Sequence, residues 1–243
     1  MNLMQETSGE KITVAVLISA GEEWATTLRV FNDPPVMPSP IGDFFTISLS
    51  DHDCLFYHGG WGKVSAAAGA QYVIDRWHPD LLINLGTCGG LEGQISVGEV
   101  VLASETLIYD IYERMGDPQA ALDHYSTRID LSFLRPLYPH SVRVSRLVSG
   151  DQDIDPAMVE LLKRDFHTVA ADWESGAIAW TASRNGARVL ILRVVSDMVG
   201  ETGGEIYEQG DFAGRAAAVM QPLLRALPDW IRCAFPQGKN TGA

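Results

Sequence analysis

The chain has 243 residues, 46% of them hydrophobic, with 31 acidic and 18 basic residues and a formal net charge of −13. That is enough for one large α/β domain, or two small ones, with a sizeable core. The absence of any basic run argues against nucleic acid and membrane surfaces as partners. Lys11 to Ala20 predicts a first buried strand, and Gly21-Glu-Glu-Trp24 turns into a helix running to about Phe31. Prolines make residues 32–40 a loop. Phe44 to Leu49 and Cys54 to His58 predict two short strands. An alanine-rich helix follows from Lys63 to Trp77, then a strand, Leu81 to Leu85, with Gly86-Thr-Cys-Gly-Gly90 as a flexible loop after it. Gly98 to Thr106 predicts another strand. Tyr109 to His140 is irregular and is expected to close over a site or a subunit interface. Val142 to Ser149 and Thr168 to Trp173 predict strands, and Asp155 to Asp165 and Glu174 to Arg184 helices. Val189 to Val195 is an apolar and β-branched run ending in Ser196-Asp197, which reads as a strand buried on both faces. Arg215 to Leu227 makes the last helix, stopped at Pro228.

Strands and helices alternate without repeats or linkers, which predicts α/β with a mixed, mostly parallel sheet covered on both faces. Residues 1–10 and 233–243 read as tails around a single domain, 11–232. No apolar run is long enough to span a membrane, and the N-terminus has no signal-peptide core. Cys54, Cys88 and Cys233 lie far apart, with no metal-ligand spacing. An odd count of that kind suits a reducing, cytoplasmic setting.

Four strand ends carry polar or glycine-rich signatures: Ser19 to Glu23, Asn84 to Gly90, Asp172 to Ser175, and Ser196-Asp197. In open α/β sheets ligands sit beyond the carboxyl ends of strands. Brought together, these ends put three carboxylates and a glycine-lined wall in one pocket. With no basic motif and no metal spacing, that suits a polar neutral molecule bearing hydroxyls, such as a sugar. Each feature has a plainer reading. Ser196-Asp197 and Glu174 can serve helix starts, Glu22 and Glu23 can favour a helix N-terminus, and Gly86 to Gly90 can be only a turn.

Six segments in order resemble the purine and uridine phosphorylase superfamily, most closely its 5′-methylthioadenosine/S-adenosylhomocysteine nucleosidases. They are Gly60-Trp-Gly-Lys-Val-Ser-Ala-Ala-Ala68, Asn84-Leu-Gly-Thr-Cys-Gly-Gly-Leu91, Val97-Gly-Glu-Val100, Val148-Ser-Gly-Asp151, Asp172-Trp-Glu-Ser-Gly-Ala-Ile-Ala179 and Arg193-Val-Val-Ser-Asp197. The resemblance implies a three-layer sandwich whose sheet partly closes as a barrel, no cofactor, and a homodimer or larger assembly. It implies cleavage of the N-glycosidic bond of a small-molecule nucleoside. Asp197 would protonate a purine at N7, with Ser196 and Gly89 lining the site beside it. Glu174 would hold the ribose 2′- and 3′-hydroxyls, Thr87 would line the nucleophile side, and Glu23, in preference to Glu22, would hold the water.

The chain departs from the family in three places. Asn84 stands where phosphorylases carry an arginine for phosphate, which favours water as the nucleophile; Arg29, Arg114 or an arginine of a neighbouring subunit would have to serve a phosphorylase. The nucleosidases' water-binding glutamate falls one residue later, at Trp24, which keeps a nucleoside-binding protein without turnover in play. Asp153 or its neighbour stands where an aromatic residue stacks on the base, and Trp173 replaces a methionine that packs on the sugar.

Overall fold

The structure is a computed structural model and describes residues 11–135, 137–201, 203–204 and 211–235. The tail expected at 1–10, and that at 233–243 beyond residue 235, lie outside them. The strands are β1 (Val14–Ile18), β2 (Met37–Pro38), β3 (Asp43–Leu49), β4 (His52–His58), β5 (Leu81–Leu91), β6 (Val100–Ile108), β7 (Ser126–Arg128), β8 (Val142–Ser149), β9 (Thr168–Asp172), β10 (Val189–Gly200) and β11 (Gly203–Gly204). The helices are α1 (Gly21–Val30), α2 (Lys63–Trp77), α3 (Pro118–His124), α4 (Val159–Arg164), α5 (Ser175–Arg184) and α6 (Phe212–Ala234).

All eleven strands form one mixed sheet. The longest pairings are parallel: β10 with β5, and β6 with β8. From β4 the sheet runs through β1 to β5 and then closes on itself. β5 pairs with both β9 and β10, so β5, β10, β6, β8 and β9 make a five-stranded barrel. Register shifts in β10, β6 and β8 supply the local bends that such curvature needs.

Helices cover both faces. On one, Ala66, Ala70 and Val73 of α2 and Ala177, Ile178 and Ala182 of α5 pack on Ala15, Leu17, Leu82 and Ile191. The small side chains let these helices lie close. On the other face, Met220, Leu224, Leu227 and Trp230 of α6 pack with Trp24 on Val16, Ile83 and Leu192.

Several elements differ from expectation. The first strand is shorter, because only Val14 to Leu17 find partners on both sides and Ile18 on one. Gly86 to Gly90 is strand, not loop: β5 continues to Leu91. β10 likewise runs past Ser196-Asp197 to Gly200, so that pair caps no helix. Residues 155–165 split into a 3-10 turn, Pro156–Met158, capped by Asp155, and the short α4. The excursion from Tyr109 to His140 contains α3 and β7, and β7 pairs with β6. α6 passes through Pro222 and Pro228 to Ala234, because burial of its apolar face, including the fully buried Trp230, outweighs the missing donors.

Candidate active site

The barrel mouth and the start of α1 enclose a cavity of ≈ 610 Å³. Glu22, Glu23, Thr87, Gly89, Asp153, Trp173, Glu174, Ser196 and Asp197 all line it. The four strand ends singled out in the sequence therefore meet. Among the described residues, none between Tyr109 and His140 lines the cavity, so this part of the expected excursion does not close over the site of its own chain.

Glu23, 2% exposed, fixes one wall. Its Oε1 accepts from Thr87 N at 2.6 Å and Thr87 Oγ1 at 2.8 Å, and its Oε2 from Ala20 N at 3.3 Å. The last contact is the helix-start role; the first two tie Glu23 to β5. Trp24 turns away into the core, stacked on His58 and packed on Phe45. Glu22 lies on the exposed rim.

Glu174 is the N-cap residue of α5, its carbonyl accepting from Ile178 N at 3.1 Å, but its side chain caps nothing. Its Oε1 accepts from Gly62 N at 3.0 Å, and Arg193 Nη2 lies 3.3 Å from Oε2. Burial pushes its carboxyl up to about 7; Arg193 pulls the other way, and Asp172 adds to the rise.

Arg193 is 1% exposed and fully engaged. Nε lies 2.9 Å from Asp172 Oδ2 and donates to Ser175 Oγ at 3.0 Å. Nη1 donates to Thr87 O at 3.2 Å, and Nη2 to Asn84 Oδ1 at 2.9 Å. Burial opposes its charge, and Asp172 and Glu174 more than offset that, so its pKa rises. Asn84 lies beneath the arginine, where its Nδ2 donates to Leu17 O. Arg29 and Arg114 are elsewhere, on Thr26 and the Tyr112 ring.

At the far wall the β5–β10 register slips between Val195 and Asp197, leaving Ser196 as a bulge. Strict alternation would send Ser196 and Asp197 to opposite faces; with the bulge both line the cavity. Ser196 Oγ lies 2.6 Å from Asp197 Oδ1 and 3.3 Å from Cys88 O. The glycines of β5 admit what stands over them. A Cβ on Gly86 would fall 2.0 Å from Arg193 Nη1, and one on Gly89 2.7 Å from Ile154 Cδ1.

The model of the phosphorylase superfamily matches residues 13–227. The chain belongs to that superfamily. Among superfamily relatives, a 5′-methylthioadenosine/S-adenosylhomocysteine nucleosidase of Maridesulfovibrio salexigens is 28% identical, over 86% of this chain and 96% of its own. The Helicobacter pylori enzyme of that name, solved with butyl-thio-DADMe-Immucillin-A, superposes with a TM-score of 0.77, 17% identity, and 91% and 99% coverage. The Neisseria meningitidis enzyme, in complex with methylthio-immucillin-A, gives 0.72, 24%, and 90% and 99%. The superfamily fold thus accounts for the closed sheet.

Sequence reasoning left three parts of the site unassigned. Arg193 and Asp172 stand at its centre, and the signal was there: a charge inside an apolar strand needs a buried carboxylate. Trp61 falls in the Gly60–Ala68 motif without a role of its own. It is 65% exposed, lines the cavity, and meets Trp173 edge-on with ring centroids 5.3 Å apart. Phe212 at the start of α6 also lines the cavity, and nothing local in the sequence marks it.

Proposed function

We propose that this protein hydrolyses the N-glycosidic bond of a purine nucleoside, with Asp197 as acid, Glu174 as the ribose anchor and Glu23 as holder of the water. The supporting observation is that these carboxylates line one cavity whose single lining arginine is already engaged. Relatives that match most of the chain are named nucleosidases.

The chemistry follows from charge. Breaking the bond leaves an oxocarbenium-like sugar and a base that departs readily only when protonated. Asp197 delivers that proton to N7, with Ser196 orienting its carboxyl. Ionised Glu174 accepts from the ribose hydroxyls and opposes the positive charge growing on the ring. Glu23 Oε2 takes a water proton as the water attacks the anomeric carbon, and Thr87 holds the other carboxylate oxygen in place. Trp173 covers the sugar, and Asp153, Gly89 and Ser196 lie along the base. We place the protein in the cytoplasm, as a homodimer or larger homo-oligomer; size-exclusion chromatography reads the assembly.

A phosphate-dependent reaction would need a free cation in this cavity. A panel of nucleosides incubated with and without phosphate, with products resolved by chromatography, decides the matter. The expected products are free base and ribose, at a rate indifferent to phosphate. A sugar 1-phosphate, formed in proportion to added phosphate, would overturn the hydrolytic reading, and binding without product would overturn catalysis altogether.

A further inference from the structure

Two of the sequence motifs supply no side chain to the proposed chemistry, yet they meet beside Glu174. The Gly62 N–H donates to Glu174 Oε1 at 3.0 Å, and the peptide that follows it is anchored through the next residue. Lys63 N donates to Asp151 Oδ1 at 2.7 Å. Lys63 Nζ pairs with Asp110 and lies 3.7 Å from Asp151 Oδ2. Asp110 Oδ2 accepts from Asp151 N at 2.9 Å, which closes a ring across three loops. The Lys63 and Asp110 side chains are only 19% and 18% exposed, so water screens this pair much less than a surface bridge. Gly62 itself has φ +86°, a left-handed value, and a Cβ there would meet Asp151 Oδ1 at 3.2 Å. Gly62 is also the N-cap of α2, its carbonyl accepting from Ala66 N at 3.0 Å, so the ring and the first turn of α2 together hold the residue that carries this N–H.

We propose that Asp110, Lys63 and Asp151 form a latch that positions Glu174, by holding the Gly62 N–H on the carboxylate that grips the ribose. The assignment of Glu174 to ribose rests on the function proposed above; the latch itself rests on the contacts. The latch joins the ends of β6 and β8 to the start of α2, so one cation keeps three loops in register around the sugar side of the cavity. Arg193, Asp172 and Glu23 also act on Glu174. None of them is altered by a change at Lys63, so a change in Glu174 there reports the Gly62 contact.

The test compares Lys63→Met, Lys63→Arg and Asp110→Asn with wild type. The Glu174 carboxyl is titrated by 13C NMR in the substrate-free protein. Losing one donor from an ionised carboxylate is expected to raise its titration midpoint by about half to one pH unit in Lys63→Met and Asp110→Asn. Arginine, which keeps the charge, should restore most of it. With substrate, the acid limb of kcat should move up by the same amount and kcat should fall about tenfold, with KM changing less. A Glu174 midpoint unchanged in folded Lys63→Met, or displaced equally by Lys63→Arg, would overturn the latch. If Lys63→Met does not fold, Asp110→Asn gives the same reading. Should wild type cleave no nucleoside while the midpoint still moves, the proposed reaction fails and the latch stands.

Discussion

At Glu174 two demands on one carboxylate conflict. Burial favours the neutral acid, whereas the role proposed for it, opposing a cation on ribose, requires the anion. Arg193 eases the conflict only in part, because its Nε lies closer to Asp172, at 2.9 Å, than its Nη2 does to Glu174, at 3.3 Å. The pKa is raised from 4.5 to about 7, and the sign follows. A carboxyl with a raised folded-state pKa contributes stability that is complete below pH 4.5 and lost as pH rises through 7. Gln does not titrate. The thermal stability of wild type relative to Glu174→Gln should therefore decline between those values, while turnover climbs with ionisation. Melting curves and rates from pH 4.5 to 8 read both; a stability margin that grows with pH would mean that the arginine, not burial, governs Glu174. Asp197 allows a second discrimination. Asp197→Asn keeps the shape but cannot donate a proton, so turnover of a purine nucleoside should fall ~10²–10⁴-fold. A nitrophenyl riboside, whose leaving group needs no proton, should lose much less. Equal losses on both substrates would remove Asp197 as the acid.

β5 and β10 show how far element-level reading carries. The apolar run of β10 announced a doubly buried strand, and Lys63 to Trp77 announced α2 with its observed bounds. The strand-end signatures also singled out Glu23, Thr87, Glu174 and Asp197, which line one cavity. What stayed hidden was set by contacts remote in sequence. Gly86 to Gly90 has loop composition; it is strand because β10 and β9 pair with it, and it is rich in glycine because Arg193 and Ile154 need the room that side chains would fill. The Ser196 bulge is likewise invisible without β5 beside it, and Pro228 reads as a helix stop because burial of the stripe around it depends on contacts remote in sequence. Gly86→Ala tests this account. Its Cβ would displace Arg193 and crowd Glu23 Oε1 at 3.0 Å. A loss of about 1–3 kcal/mol of stability is expected, with turnover down of order 10²-fold from the misplaced site. Denaturant melts and kcat check the pair; unchanged turnover would show that the position of Arg193 is not critical.

For the molecule as a whole, a net charge of −13 and the acidic lining of the cavity act in the same direction. Glu22, Glu23, Asp153, Asp172, Glu174 and Asp197 surround any ligand, and the one arginine is engaged. A phosphate dianion on the 5′-carbon meets repulsion of several kcal/mol at such distances in a half-screened site. A nucleoside 5′-monophosphate should therefore show kcat/KM at least ~10²-fold below its parent nucleoside, with the gap narrowing in high salt. Parity between the two in competition assays would show that the acidic lining does not select against charge.

Closure of the barrel also sets an order of events during synthesis. β5 is seamed to β10, about a hundred residues later in the chain. While the ribosome is still making α5, Glu23, Thr87 and Glu174 already exist, but the strand that holds Arg193 and Asp197 does not. A nascent chain at that length has an open seam, with the apolar edge of β5 bare to any strand that passes. The last long strand to be made thus both protects the young protein from its neighbours and brings in Asp197, the acid proposed above, so a chain ending before β10 is expected to show no turnover.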